Sequence, residues 1–175
     1  TPEIFIKRQC KAQTVKCHHV IQSLWSGYGE VARYSLTGSP IAAFVIVKHC
    51  SVPVDIEHPR GWQSSHAHQR KVQSYEVEQV WYRHWATRCH ALARIAQCYG
   101  DFYDEATGQR LTLLEDLDAA GYSARYDAHN SEHLIACINW LAAFHAGFIH
   151  QDPASNWPES LWQKGSYWHL DTRQE

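Results

Sequence analysis

The stretch Ile41-Ala-Ala-Phe-Val-Ile-Val47 narrows the fold more than any other feature. Seven apolar residues, rich in β-branched side chains, follow the breakers Thr37-Gly38-Ser39-Pro40 and end at Lys48. A run this short and this β-branched is the pattern of a strand covered on both faces. The two segments before it supply its neighbours. Residues 20–25 form a mixed apolar run that stops at Ser26-Gly27-Tyr28-Gly29, and residues 30–36, with Val31 and Tyr34, resume as a strand. Two successive hairpins, and so an antiparallel sheet, follow.

Pro53, Pro59 and Gly61 make residues 51–65 a loop. No Gly or Pro occurs from 65 to 96, and Val77, Val80, Trp81, Trp85 and Ala86 recur at mostly three- and four-residue spacings. This predicts a long amphipathic helix, or two in succession. Residues 98–99 and 110–114 read as two further strands around an acidic turn at 101–108. The polar connector Glu115-Asp116-Leu117-Asp118-Ala119-Ala120-Gly121-Tyr122 comes next. A helix opens at Ser131, carries His133, Leu134, Cys137, Trp140, Leu141 and Phe144 on overlapping faces, and closes at Gly147. Beyond it lies a Trp-rich, loop-like tail. No internal repeat is present.

Composition excludes more than it assigns. Sixteen Lys and Arg against 18 Asp and Glu give a formal charge of −2 in 175 residues, which leaves no basic footprint for nucleic acid. No apolar run approaches the roughly 20 residues of a membrane helix, and the polar N-terminal stretch has no signal-peptide core. The expected compartment is the cytoplasm. Six cysteines (10, 17, 50, 89, 98 and 137) without a CxxC pair are expected to be reduced and mostly buried. The absence of methionine points to a processed or trimmed chain.

The ordered set of segments resembles a known family. Ile21-Gln-Ser-Leu-Trp-Ser-Gly-Tyr-Gly29, Val45-Ile-Val-Lys48, Ser74-Tyr-Glu-Val-Glu-Gln-Val-Trp-Tyr82, Leu114-Glu-Asp-Leu117 and Trp140-Leu-Ala-Ala-Phe-His-Ala146 carry the likeness. In that order they resemble the kinase-like phosphotransferases of the aminoglycoside phosphotransferase, choline kinase and ecdysteroid kinase group. The likeness runs from about residue 20 to residue 173. It implies an α+β protein-kinase-like small lobe (1–114) with a sheet of about five strands and one long helix. A hinge (115–122) and the first helices of an incomplete helical lobe (123–175) complete the implied organisation.

Lys48 is the leading candidate residue. A two-residue period sets it on the face of Phe44 and Ile46, where a compact, flexible cation can reach phosphate oxygens as a point charge. An unpaired lysine there is costly, so a carboxylate should hold it, and the long helix offers Glu76 and Glu78. The family pattern of aromatic, Glu and Tyr matches Tyr75, Glu78 and Tyr82, which favours Glu78. The resemblance further implies that the turn Ser26, Gly27, Tyr28 and Gly29 covers nucleotide phosphates, glycine letting backbone N–H groups approach them. It implies that adenine meets a backbone carbonyl at Glu115 and an amide at Leu117. Asp116 and Asp118 receive no catalytic task, and His145, on an apolar helix face, reads as a hydrogen-bonded core residue.

Phosphoryl transfer also needs an Asp to orient the hydroxyl, plus an Asn and a second Asp on metal. The family draws these from His-Gly-Asp, an Asn five residues later and a further Asp. This sequence has no His-Gly-Asp. His150-Gln151-Asp152 has Trp157 where the Asn belongs, and His169-Leu170-Asp171 would need its Asn past Glu175. The expectation is an ATP- and Mg2+-dependent phosphotransferase, acting on a small-molecule hydroxyl as the intact parent protein, with the catalytic loop lacking here. A noncatalytic nucleotide-binding or interaction module is the alternative. A His/Cys metal site is a second alternative, drawn from Cys17-His18-His19, His49-Cys50, His66-x-His68, Cys89-His90 and the His129 to His133 spacing, although adjacent ligands rarely chelate one ion. Ser-His-Asp hydrolysis lacks a GxSxG elbow.

Overall fold

The computed structural model describes residues 1–24, 27–51, 65–89, 91–127, 130–149 and 161–162, the first three residues of the 65–89 stretch by backbone alone. Its elements are α1 (Pro2–Gln9), β1 (Thr14–Ser23), β2 (Gly29–Thr37), β3 (Phe44–Cys50), α2 (Ser65–His84), β4 (Cys98–Tyr103), β5 (Arg110–Glu115) and α3 (Ser131–Phe148), with a short 3₁₀ turn at Ala86–Arg88. The chain is α+β. The strands form one antiparallel sheet in the order β1-β2-β3-β5-β4, so β3 lies at its centre.

One face of this sheet closes an apolar core. Ala32, Tyr34 and Leu36 of β2, Val45 and Val47 of β3, and Leu111 and Leu113 of β5 alternate along their strands and meet across the register Ala32–Val47–Leu113. α1 covers them with Ile6 and Cys10, which lie one turn apart on one helix face. Glu3 in the first turn and Lys7 and Arg8 in the last suit the helix dipole. The other face receives α2 over part of its width, where Tyr28, Cys50 and Tyr75 pack with Leu24 and Val72.

Several boundaries differ from those expected. β1 begins at Thr14 rather than residue 20, because its pairing with β2 runs the full length from Thr14–Thr37 to Ser23–Glu30. β3 starts at Phe44, not 41. The Leu36 N–H bonds the Ala43 carbonyl, the turn occupies 38–43, and Ile41 is 42% exposed. Lys48 therefore sits two residues inside the strand, not at its end. Nor is β3 buried on both faces: Val45 and Val47 are fully covered, while Phe44, Ile46 and Lys48 are half-buried because α2 spans only one end of that face.

The long helix stops at His84 rather than continuing to 96, since the chain must reverse to deliver β4 to the far edge. The Arg88 and Cys89 N–H groups tighten that reversal by bonding the carbonyls of Trp85 and Ala86. β4 extends to Tyr103 and absorbs Asp101, assigned to the turn from sequence, because its backbone stays in register with β5 through Asp101–Thr112 to Tyr103–Arg110, and Arg83 of α2 pairs with the Asp101 carboxylate. The six cysteines are free, but only Cys10 and Cys50 are buried, and Cys17 and Cys137 are exposed, against the expectation of mostly buried thiols. Among the described residues no helix is long and apolar enough to cross a membrane.

Candidate functional site

Lys48 projects from β3 between Val31 of β2 and Thr112 of β5, on the face that α2 partly covers. Its Nζ pairs with Glu78 Oε2, the lysine side chain 19% and the carboxylate 31% exposed. Of the two carboxylates that the sequence left open, Glu76 turns elsewhere and lies 3.7 Å from Arg110. Residues two positions apart on a helix differ by about 200° in direction, so Glu76 and Glu78 are turned to different partners. α2 is held in this rotation by a residue that sequence reasoning passed over. Gln79, 2% exposed, donates from Nε2 to the Leu111 carbonyl at 3.0 Å and accepts from Arg110 Nη1 at 3.0 Å. A glutamine among apolar helix positions was the available signal, because a buried amide needs partners.

The turn between β1 and β2 divides by residue. Ser26 lies outside the described residues. Gly27, at φ +75°, takes a left-handed backbone that suits glycine, and a Cβ there would meet no atom of the described residues. Gly29 has a different reason to be glycine: at φ +127° its Cβ would lie 1.9 Å from the His49 carbonyl oxygen. Tyr28 turns inward at 1% exposure, and its hydroxyl makes a 2.7 Å hydrogen bond with His68 Nδ1 on α2, so the turn is tied to the helix that carries Glu78. Burial raises the pKa of Tyr28 and Tyr75 and pushes the Cys50 thiol up to about 11, so all three are neutral around Lys48 at physiological pH.

At the far end of β5 the connector opens with a hydrogen-bonded turn. Asp116, 4% exposed, accepts from Arg33 Nε at 2.6 Å and from the N–H groups of Asp118 and Ala119 at 3.0 and 3.2 Å. It thus caps the turn that follows and clamps that turn to β2. The Glu115 carboxylate holds Arg94 at 2.6 Å and the Gln97 N–H at 3.1 Å. Leu117 is half-buried, its carbonyl accepts from Tyr122 N–H at 2.8 Å, and its own N–H meets no acceptor among the described residues. Between Lys48 and this connector, Val31, Ile46 and Leu114 form a half-covered apolar shelf on one sheet face. A flat apolar ring can lie on such a shelf with an ammonium at one side and backbone groups at the other.

The residues outside this arrangement are accounted for differently. His145 is exposed on α3, not a core residue, because no residue of that helix is buried. Among the described residues no three His, Cys, Asp or Glu side chains gather as a metal site. His18 and His19 approach each other at 2.7 Å, His49 bonds Gln109 at 3.1 Å and His68 bonds Tyr28. His90, His129, His150, Asp152, His169 and Asp171, and the side chain of His66, lie outside the described residues. No protein-family model matches the chain, and no curated protein matches it.

Proposed function

We propose that this chain carries the nucleotide-binding part of an ATP-dependent phosphotransferase whose acceptor is the hydroxyl of a small molecule. The observation that carries the reading is the Lys48–Glu78 pair, formed between a central strand and the helix packed on it. A lysine held extended by a carboxylate is positioned to meet phosphate oxygens as a point charge. Three further features support it: the left-handed Gly27 in the turn, the Val31–Ile46–Leu114 shelf, and a Leu117 N–H that meets no acceptor among the described residues. The order of strand, glycine turn, strand, lysine strand, glutamate helix, two strands and connector is the order of a kinase-like small lobe and hinge. On this reading residues 1–114 are that lobe, 115–122 the hinge and 123–175 the start of a second lobe. Mg2+ would accompany ATP, and six free thiols suit the reducing cytoplasm.

The sequence holds no His-Gly-Asp, so the 175-residue chain alone is expected to bind Mg-ATP weakly and to give no turnover. Calorimetric titration with Mg-ATP, with product formation measured over a panel of alcohols, tests both halves. Binding that is unchanged in Lys48→Ala would remove the kinase-like pocket. Turnover would instead bring the aspartates Asp152 or Asp171 into the mechanism. The noncatalytic module shares the binding prediction and is separated by the reading frame after Glu175: continuation into a His-Gly-Asp with its following Asn favours the enzyme.

A further inference from the structure

The Tyr75 ring gathers more charge than one phosphate-binding lysine requires. Lys48 Nζ stands 5.1 Å from its centroid and Lys71 Nζ 4.9 Å, which sets the two ammonium groups within about 10 Å of each other. They arrive from different elements, Lys48 from the central strand and Lys71 from the first half of α2. Tyr75 itself is buried, and its ring lies 6.2 Å from that of Tyr28, the residue between the two glycines of the turn. The cluster is therefore tied to the glycine turn through the Tyr28 ring.

Among the described residues its charge does not balance. Glu78 neutralises Lys48, and Glu76 is directed to Arg110. Lys71 makes no ion pair among the described residues. Tyr28, Tyr75 and Cys50 are held neutral by burial. Glu30 pairs in register with His49 and so stands on the opposite sheet face from Lys48. Among the described residues the result is two cations and one carboxylate around one aromatic ring, an arrangement suited to an anion with more than one charged group.

We propose that Lys71 is a second phosphate-binding cation, and that the ligand of this site is a polyphosphate held between Lys71 and Lys48. The inference deepens the nucleotide reading and rests on it for the identity of the ligand, although the anion site stands on its own geometry. Lys71 is half-buried and hydrogen-bonds through its carbonyl to Ser74 Oγ, so removing its side chain leaves the helix backbone intact.

The test titrates the full 175-residue chain, wild type, Lys71→Ala, Lys71→Arg and Lys48→Ala, with inorganic tripolyphosphate, Mg-ATP and adenosine, each at two salt concentrations. Lys71→Ala should weaken tripolyphosphate and Mg-ATP by about tenfold, leave adenosine unchanged and flatten the salt dependence, while Lys71→Arg retains most of the affinity. If Lys71→Ala binds both anions as the wild type does while Lys48→Ala is weakened, the second cation is overturned and the nucleotide reading survives. A lowered melting temperature with unchanged binding has the same meaning, reducing Lys71 to a helix staple on Tyr75. If tripolyphosphate binds in a Lys71-dependent way and Mg-ATP does not bind, the nucleotide reading fails and the anion site stands. No binding of either anion overturns both.

Discussion

The two faces of the sheet do different work with the same strands. On the α1 face the centre of the sheet, from Ala32 and Tyr34 through Val45 and Val47 to Leu111 and Leu113, is buried and uncharged, and the charges of α1 lie at its ends. On the α2 face the inward positions include Lys48, Thr112, Asp101 and Arg33, each engaged by a specific partner: Glu78, Gln79, Arg83 and Asp116. The alternation of a strand allows this, since neighbouring residues belong to opposite faces and can be chosen independently. One face can therefore supply stability while the other carries groups that stability alone does not require. An apolar core tolerates no loss of volume, whereas a half-covered polar face can exchange a partner for water.

The largest expected effect comes from the apolar face. Leu113→Ala removes a fully buried side chain at the β5 end of the row that joins β2, β3 and β5, and should destabilise the chain by about 2–5 kcal/mol, read from urea denaturation. The fraction that remains folded should bind Mg-ATP with unchanged affinity. A Leu113→Ala protein that stays folded but loses nucleotide would break the division between the faces.

The glycine turn sharpens the comparison at a single residue type. Gly29→Ala would drive a Cβ into the His49 carbonyl and should cost about 2–3 kcal/mol, because backbone on β3 must move. Gly27→Ala meets no atom of the described residues and should cost roughly 1 kcal/mol from its left-handed backbone. For ligand binding the order should reverse, with Gly27→Val hindering polyphosphate approach more than it lowers the melting temperature. Equal thermal shifts for the two alanine variants would show that the β3 contact does not set the Gly29 conformation.

A pH titration probes the polar face without a ligand. The Cys50 thiol has a folded pKa of about 11 against an ordinary value of 9.0, so the folded state holds its proton more tightly than the unfolded one. Stability is then fully present below pH 9 and lost as the pH rises through 11, by about 2–3 kcal/mol for this group. Tyr34, pushed up to about 12, and Tyr75 act in the same direction at higher pH. Cys50→Ala should flatten the fall between pH 9 and 11. A slope identical to wild type would mean that the thiol is not desolvated in solution.

What the sequence disclosed follows from how far its signals reach. The sheet, its antiparallel sense, the glutamate-bearing helix and the helix from Ser131 were legible because apolar periodicity and turn residues act locally. Strand ends were less so: Thr14–Val20 of β1 is mostly exposed and polar, and only its partner β2 makes it a strand. The choice between Glu76 and Glu78 depended on the rotation of α2, and that rotation is set by Gln79 reaching Leu111, 32 residues away in sequence. The Arg33–Asp116 clamp spans 83 residues and left no trace in any local pattern. α1 escaped notice although it carries Pro2, an acidic first turn and a basic last turn, because a short helix is stabilised by what it covers more than by its own composition.

The smallest expected effect on stability is also the one that separates the faces most cleanly. Lys48 and Glu78 are both partly exposed, so water can replace either partner. Lys48→Ala should therefore change unfolding free energy by no more than about 1 kcal/mol. Its ammonium is nonetheless the strand-borne cation directed at the proposed phosphate site, and Mg-ATP affinity should fall by about tenfold or more. Glu78→Gln tests the same pair from the other side. The lysine then loses its counter-charge but keeps a hydrogen-bond acceptor, so affinity should fall less than in Lys48→Ala. The double variant should bind no more weakly than Lys48→Ala alone, since the carboxylate acts through the lysine. Additive losses would show that Glu78 touches the ligand or its metal directly. A loss of stability in Lys48→Ala comparable with that of Leu113→Ala would place the pair among the supports of the fold, and the polar face would no longer be distinct from the apolar one.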